Sequence, residues 1–395
     1  MGDKIINEFK HEHPCYGSFD LSRIDDGEVH GMKRVKIGLI GCGNISGQYL
    51  KYCRQFDILE VVACSDLDMS KAKARAEEYG VPRVLTVEQL LADPEIELVV
   101  NLTVPAVHAE VSMRAIEHGK HVYVEKPLSV DLAEGQQLLQ MAAERGLLVG
   151  CAPDTVLGAG LQTCRKLIDE GKIGEPVSAV AFMLSRGPEG WHPDPEFFYK
   201  RGAGPMFDMG PYYLTALVQL FGPMASISAM TKSALAERVI GSEPKRGQRI
   251  KVETPTYVAG NIAFHNGAIA TMITSFDTFG RHHLPNIEIY GTEGTIRVPD
   301  PNIFGGDIFL NRHDQNEWER VAYTHPYADS GRGLGVADMA YAIRNGRAHR
   351  ASGDIGYHVL EAMHGFHIAA DQQKHYMMQS RCERPQAMPV EGLRE

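Results

Sequence analysis

The sequence predicts an α/β chain in two unlike halves: a doubly wound parallel sheet, then an α+β unit built on an open, mostly antiparallel sheet. Three observations carry this. Between Val35 and Cys151, short apolar runs of the buried-strand type alternate with amphipathic stretches, the pattern of a parallel sheet covered on both faces. Beyond Cys151, apolar runs are joined by tight-turn strings such as His265-Asn266-Gly267, so the strands they join must be antiparallel. The 395 residues are enough for two sizeable cores.

Composition sets limits on function. A hydrophobic content of 44% and a charged content of 23% are those of an ordinary globular chain. A formal net charge of −10 with no long basic run argues against a nucleic-acid partner. No apolar run reaches the roughly 18 residues of a membrane span, and the first residues do not form a secretory signal. The 7 cysteines include no C-x-x-C pair, which fits reduced thiols in a cytoplasmic protein.

Residues 1–33 show no amphipathic period and are read as an extension outside the core. His11 and His13 are two potential metal ligands, too few for a site. The first unit, 34–152, begins with a strand at 35–40 and a helix near 44–54. A strand over 59–65 ends at Asp66, and Ser70 is placed to cap a helix that stops at Gly80. Thr86-Val87-Glu88-Gln89 matches a capping box, and Pro105 suits the first turn of a helix ending at Gly119. Strands at 97–103, 121–124 and 147–151, with a helix at 131–144, complete the unit. The second unit, 153–395, reads as a helix near 160–170, a strand at 177–184, three hairpins between 257 and 323, and closing helices near 334–345 and 355–372.

Gly41-Cys42-Gly43-Asn44-Ile45-Ser46 follows the first strand and opens the first helix. Gly41 allows a tight bend, Gly43 lets the backbone approach a pyrophosphate, and the helix start at Asn44 and Ile45 offers free N–H groups to the anion. Ser46 stands where a third glycine or alanine is usual. Asp66 is positioned to accept from the hydroxyls of an adenosine ribose, and Leu67-Asp68 after it favours NAD over NADP. Val122-Tyr123-Val124-Glu125-Lys126-Pro127 then sets Glu, Lys and Pro at the carboxyl end of a strand, where open α/β sheets hold ligands.

These segments resemble the glucose–fructose oxidoreductase, inositol dehydrogenase and MocA superfamily of nicotinamide-dependent enzymes, over about 34–395. The signature Glu125-Lys126-Pro127 and the string Leu102-Thr103-Val104-Pro105 through His108 look like two of its motifs, in order and at plausible spacing. A third runs from Gly204 through Asp208 to Tyr212. The resemblance implies a Rossmann domain and a substrate domain. It also implies cofactor contacts from Leu102, Thr103, Pro105, His108, Glu125 and Lys126, and a homodimer or homotetramer formed through the second sheet. Tyr212 stands where many members have a proton-accepting histidine and others, as here, a tyrosine. A nearby ammonium on Lys126 favours phenolate, so Lys126, Asp208 and Tyr212 are all candidates to take the proton.

Asp154, Trp191, His192 and Tyr213 are candidate substrate contacts; a Trp face suits the C–H face of a sugar ring. His358, Glu361, His364 and His367 recur every three residues, yet four such positions wind around a helix and no metal is expected. The implied activity is hydride transfer between a nicotinamide and a CH–OH group of a sugar, glycoside or cyclitol. An NAD-dependent glycoside-cleaving enzyme acting through transient oxidation, and a non-catalytic NAD-binding regulator, are the alternatives.

Overall fold

The computed structural model describes residues 28–29 and 31–393, so His11 and His13 lie outside the described residues. A small hairpin of β1 (Glu28–Val29) and β2 (Met32–Lys33) precedes the first sheet. Then follow β3 (Val35–Ile40), α1 (Ser46–Cys53), β4 (Leu59–Ser65), α2 (Met69–Tyr79), β5 (Arg83–Val84) and α3 (Val87–Ala92). β6 (Leu98–Asn101), α4 (His108–Glu117), β7 (His121–Val124), α5 (Leu132–Glu144) and β8 (Val149–Cys151) complete the unit. The strand order is β5-β4-β3-β6-β7-β8, all parallel. The chain leaves β3 toward β4 on one side and returns to β6 on the other, which opens a crevice at their carboxyl ends.

Local chemistry sets most of the boundaries. Thr86 and Gln89 make both bonds of the capping box, at 3.2 and 2.9 Å. α2 differs from expectation: its cap is Asp68, whose carboxylate accepts from the Ser70 N–H at 3.0 Å. The aspartate wins because its charged oxygen is the better acceptor for the orphan N–H groups. Pro105 opens a short 3₁₀ turn, and the α-helix proper starts at His108.

The second unit contains α6 (Ala159–Asp169), β9 (Pro176–Leu184), α7 (Pro205–Phe221), β10 (Met224–Lys232), β11 (Glu237–Val239) and β12 (Arg249–Lys251). β13 (Tyr257–Phe264), β14 (Ile269–Ser275), β15 (Ile287–Gly291), β16 (Gly294–Val298), β17 (Ile308–Arg312) and β18 (Glu319–Val321) follow, then α8 (Leu334–Asn345), α9 (Gly353–Gln372) and β19 (Tyr376–Met377). Nine strands form one sheet in the order β18-β17-β16-β15-β9-β14-β13-β10-β19. Within this sheet, among the described residues, only the β9–β14 pair is parallel. Ala181, Ile262, Met272 and Ile289 point to the face covered by helices, while Met230 and Ile269 stand exposed on the sheet. Among the described residues no helix is long and apolar enough to cross a membrane.

The last helices return to the first sheet. Cys151 N–H donates to Ala351 O at 2.9 Å, and Gly150 pairs with Ser352. Arg344 of α8 grips Glu97 at 2.7 and 2.8 Å. One apolar core runs from Leu39 through Tyr123 to Leu217 and Met339.

The polar residues of α9 have structural partners. His358 Nε2 accepts from Met224 N–H at 2.9 Å, which leaves Nδ1 to donate to Ser380 Oγ at 2.7 Å. Glu361 accepts from the N–H groups of Gln379 and Ser380 and from Tyr376 Oη. His364 and His367 pack against Phe207 at ring distances of 5.0 and 5.4 Å. No group of three or more metal-ligating side chains converges among the described residues.

Candidate active site

At the β3 turn Gly41 has φ +101°, and a Cβ there would stand 2.5 Å from Leu102 O, so only glycine fits. A Cβ on Gly43 would meet nothing within 4 Å: this position faces open space, as a pyrophosphate cradle requires. The close helix contact expected of Ser46 is shared with its neighbour. Ser46 is buried and donates to Gly43 O at 2.6 Å, while Gly47 passes under Tyr79 Oη, 2.8 Å from a hypothetical Cβ.

Asp66 is aimed by the backbone around it. Its Oδ2 accepts from Cys42 N–H at 2.7 Å and its Oδ1 from Asp68 N–H at 2.8 Å. Gly41, Gly43, Asp66, Leu102 and Thr103 line one cavity of about 340 Å³, with Leu67 almost fully exposed at its lip. These residues fit a dinucleotide: an open turn for the phosphates and a fixed acceptor for a ribose. Asn44 and Ile45 precede α1 at the same turn.

The other wall is braced from below. Asn101 Oδ1 accepts from the N–H and hydroxyl of Thr103, while its Nδ2 donates to Ser112 Oγ and His108 O. Pro105 shapes the loop through its 3₁₀ turn. His108 is 1% exposed. Its ring nitrogens lie 2.7 Å from Pro127 O and 3.0 Å from Thr103 O, stapling the two loops that line the crevice. Burial lowers its pKa, against the pull of those two carbonyls.

Glu125 is spent on its surroundings: Tyr49 Oη donates to Oε1 at 2.8 Å and Lys126 N–H to Oε2 at 2.9 Å. Lys126, before a cis peptide to Pro127, donates to Asp208 O at 2.6 Å and to its Oδ1 at 3.3 Å. Asp208 lies in the first turn of α7, and Tyr212 is one turn on, as the spacing predicts. The Lys126 ammonium stands 5.2 Å from the Tyr212 ring centre. The three proton-transfer candidates therefore share one place.

A fourth residue completes the group, and sequence reasoning missed it. Arg332 Nη2 donates to Tyr212 Oη at 3.0 Å and to Asn302 Oδ1 at 3.2 Å. Asp154 holds Arg332 in turn, with Oδ1 at 3.4 Å from Nη1 and Oδ2 accepting from the N–H groups of Gly333 and Gly335. Asp154, expected to meet substrate, is fully buried and acts on the crevice through Arg332. The signal was local: Gly331, Gly333 and Gly335 bracket the arginine. They let the loop press on α1, where a Cβ on Gly331 would stand 2.3 Å from Tyr52.

Tyr212 is 7% exposed. Burial holds its pKa above the ordinary phenol range, against the pull of Lys126 and Arg332. Lys126 ends above its usual range: burial works against its charge, but Tyr212, Asp208 and Glu125 outweigh that. The Tyr213 hydroxyl accepts from Asn286 Nδ2 at 2.9 Å, and burial raises its pKa too.

Trp191 and His192 are tied to their own loop. The His192 ring lies 5.2–5.4 Å from Trp191, Phe197 and Phe198, and its Nδ1 accepts from Asp194 N–H. Trp191 is 69% exposed, and no hydrogen bond, ion pair or ring contact joins either residue to the Tyr212 cluster among the described residues. The loop is anchored by a buried cluster: Arg238, 2% exposed, pairs with Glu189 at 2.9 Å and with Asp277, and Tyr199 donates to Glu189.

Comparison with known proteins identifies both halves of the chain. Residues 35–152 match the oxidoreductase family described as an NAD-binding Rossmann fold, and 161–297 match the GFO/IDH/MocA C-terminal domain. D-glucoside 3-dehydrogenase of Escherichia coli K12 is 30% identical over 253 residues, covering 61% of this chain and 70% of that protein. 1,5-Anhydro-D-fructose reductase of Ensifer adhaerens is 29% identical over 265 residues, 66% of this chain and 74% of the relative. Levoglucosan dehydrogenase in complex with NADH superimposes with a TM-score of 0.76 at 22% identity, over 88% of this chain and all of that one, a likeness of fold. A glycine turn of the dinucleotide type, a Glu-Lys-Pro strand end and both halves of the family pattern occur in one chain: it belongs to the Gfo/Idh/MocA family of oxidoreductases.

Proposed function

We propose that this oxidoreductase moves a hydride between NAD and a CH–OH carbon of a sugar, glycoside or cyclitol, with Tyr212 exchanging the hydroxyl proton. The observation that carries the chemistry is the setting of Tyr212 Oη, which accepts from Arg332 in a nearly dry site beside the Lys126 ammonium. Arginine has only donors to offer, so the phenol's own proton must point elsewhere. That leaves it for the crevice. When bound, the nicotinamide supplies the carbon that gives or takes the hydride.

In oxidation, Tyr212 Oη as phenolate takes the hydroxyl proton, and Arg332 and Lys126 stabilise the charge it carried. In reduction the same oxygen gives the proton back. Lys126, anchored on Asp208, has one ammonium hydrogen left to orient the reacting oxygen. The substrate class is taken from the relatives, which include a glucoside dehydrogenase and a scyllo-inositol 2-dehydrogenase. The relatives named for a substrate are dehydrogenases and a reductase, so the cleaving and regulatory readings gain no support from them.

Preference for NAD over NADP rests on Asp66, with Leu67 and Asp68 beyond it, because a carboxylate at the ribose repels a 2′-phosphate. The open face of the nine-stranded sheet is the surface we assign to a homodimer or homotetramer. Free cysteines, mostly buried, fit a cytoplasmic setting. The test is a panel of sugars, glycosides and inositols with each cofactor, read at the NADH absorbance. Turnover of at least one polyol, with a higher kcat/KM for NAD, is the expected result. No turnover across the panel, or a preference for NADP, overturns the reading.

Arg332 gives a separate prediction. Because it lowers the Tyr212 pKa, an Arg332→Gln variant moves the alkaline-rising limb of the oxidation profile upward, by about 1–3 pH units. Arg332→Lys, which keeps the charge, moves it less. An unchanged profile in Arg332→Gln removes Arg332 from this role.

A further inference from the structure

A second cavity, of about 740 Å³, lies between the edge strand β8 and the C-terminal tail, and shares no lining residue with the dinucleotide cavity. Its wall includes Arg347, His349, Arg350, Asp354, Arg381 and Glu383. Nothing in the hydride chemistry uses it.

The cationic side chains there outnumber the carboxylates they pair with directly. Arg347 and Arg350 share one carboxylate, that of fully buried Asp338, so the pair retains a positive charge. Arg350 is 6% exposed; its Nε donates to the carbonyls of Gln386 and Ala387 and its Nη1 to Asp338. Its Nη2 has no hydrogen-bond partner among the described residues. His349, 8% exposed, meets Val149 O through Nε2 at 2.9 Å and leaves Nδ1 without a partner among them. Arg381 likewise makes no ion pair there. α9 also begins at this cavity, adding the positive end of its dipole.

Asp354 and Glu383 line the same space, and they would oppose a bare anion. They would, however, accept hydrogen bonds from hydroxyl groups. We propose that this cavity is a binding site for a polyol carrying one phosphate or carboxylate group. Arg347, Arg350 and Arg381 hold the anionic end, while Asp354 and Glu383 hold the hydroxyls. The volume suits a molecule of sugar-phosphate size. A ligand here sits where α8 and α9 meet β8, at the joint between the two sheets. It acts as an effector rather than a reactant.

The experiment uses the intact enzyme with NAD present. Inorganic phosphate, a sugar phosphate, a sugar acid and a neutral polyol are each titrated calorimetrically at constant ionic strength, with Tm followed in parallel. The expected result is saturable binding of the sugar phosphate or the sugar acid, with a rise in Tm of about 2–4 °C. The neutral polyol should give no such rise. Arg381→Ala and Arg347→Gln each weaken that binding about tenfold. Arg381→Ala, lacking a structural partner, leaves the ligand-free Tm unchanged. Lys126→Ala leaves this binding intact, which separates it from occupancy of the catalytic crevice. The proposal is overturned if no anion binds saturably, if both arginine variants bind as the parent does, or if Lys126→Ala abolishes the binding.

Discussion

Tyr212→Phe is expected to cut turnover by about 10²–10⁴-fold while leaving the affinity for NADH unchanged. The substitution removes one oxygen from a ring packed between Lys126 and Arg332, so little packing is lost. What disappears is the acceptor of the Arg332 hydrogen bond and the atom proposed to exchange the substrate proton. The proposed cofactor contacts at Gly41, Gly43 and Asp66 line a separate cavity and should not change. Binding is read by NADH fluorescence and turnover by single-turnover kinetics with the best substrate of the panel. Full turnover in Tyr212→Phe would transfer the proton to another group and sink this assignment.

Arg238→Ala is expected to lower the stability of the protein by about 3–5 kcal/mol. Two carboxylates, Glu189 and Asp277, surround this guanidinium, and both are largely buried. It also donates to the carbonyls of Arg186 and Phe276, and stacks on Tyr199 and Phe279. Removing it leaves two buried negative charges beside one another, a worse state than an apolar cluster would be. Thermal melts should show a drop of about 4–6 °C. Adding Glu189→Gln and Asp277→Asn to the variant should restore part of that loss. A change of less than about 1 kcal/mol would show that water enters and replaces the arginine.

The two halves of the site differed in how far the sequence disclosed them. Gly41, Gly43 and Asp66 were legible because their constraints are local: a backbone angle, an open approach, a strand end. Lys126, Asp208 and Tyr212 were legible as motif members, and helix periodicity placed the last two on one face. The Asp154–Arg332–Tyr212 chain was not legible, since its members are far apart in sequence and meet only when α8 folds against β7 and β8. Asp154 read as a crevice residue because it follows the last parallel strand; two backbone N–H groups capture it instead. His108 shows the same limit, as a motif histidine whose two ring nitrogens both brace loops. Among the elements, the hairpins were anticipated from turn chemistry. The β11–β12 excursion, held by Arg238 rather than by a local signal, was not.

The return of α8 and α9 to the first sheet bears on how such an enzyme can be recombined. A cut at residue 152 looks natural along the chain, yet it would strip β8 of its pairing with Ala351 and Ser352 and Glu97 of Arg344. The exchangeable module is therefore discontinuous: the parallel sheet together with the 334–372 helices, with eight strands of the nine-stranded sheet between them and its edge strand β19 beyond α9. Transplanting a new substrate half onto this cofactor half means grafting an insert, and the graft must still deliver an arginine to Tyr212 from the far junction.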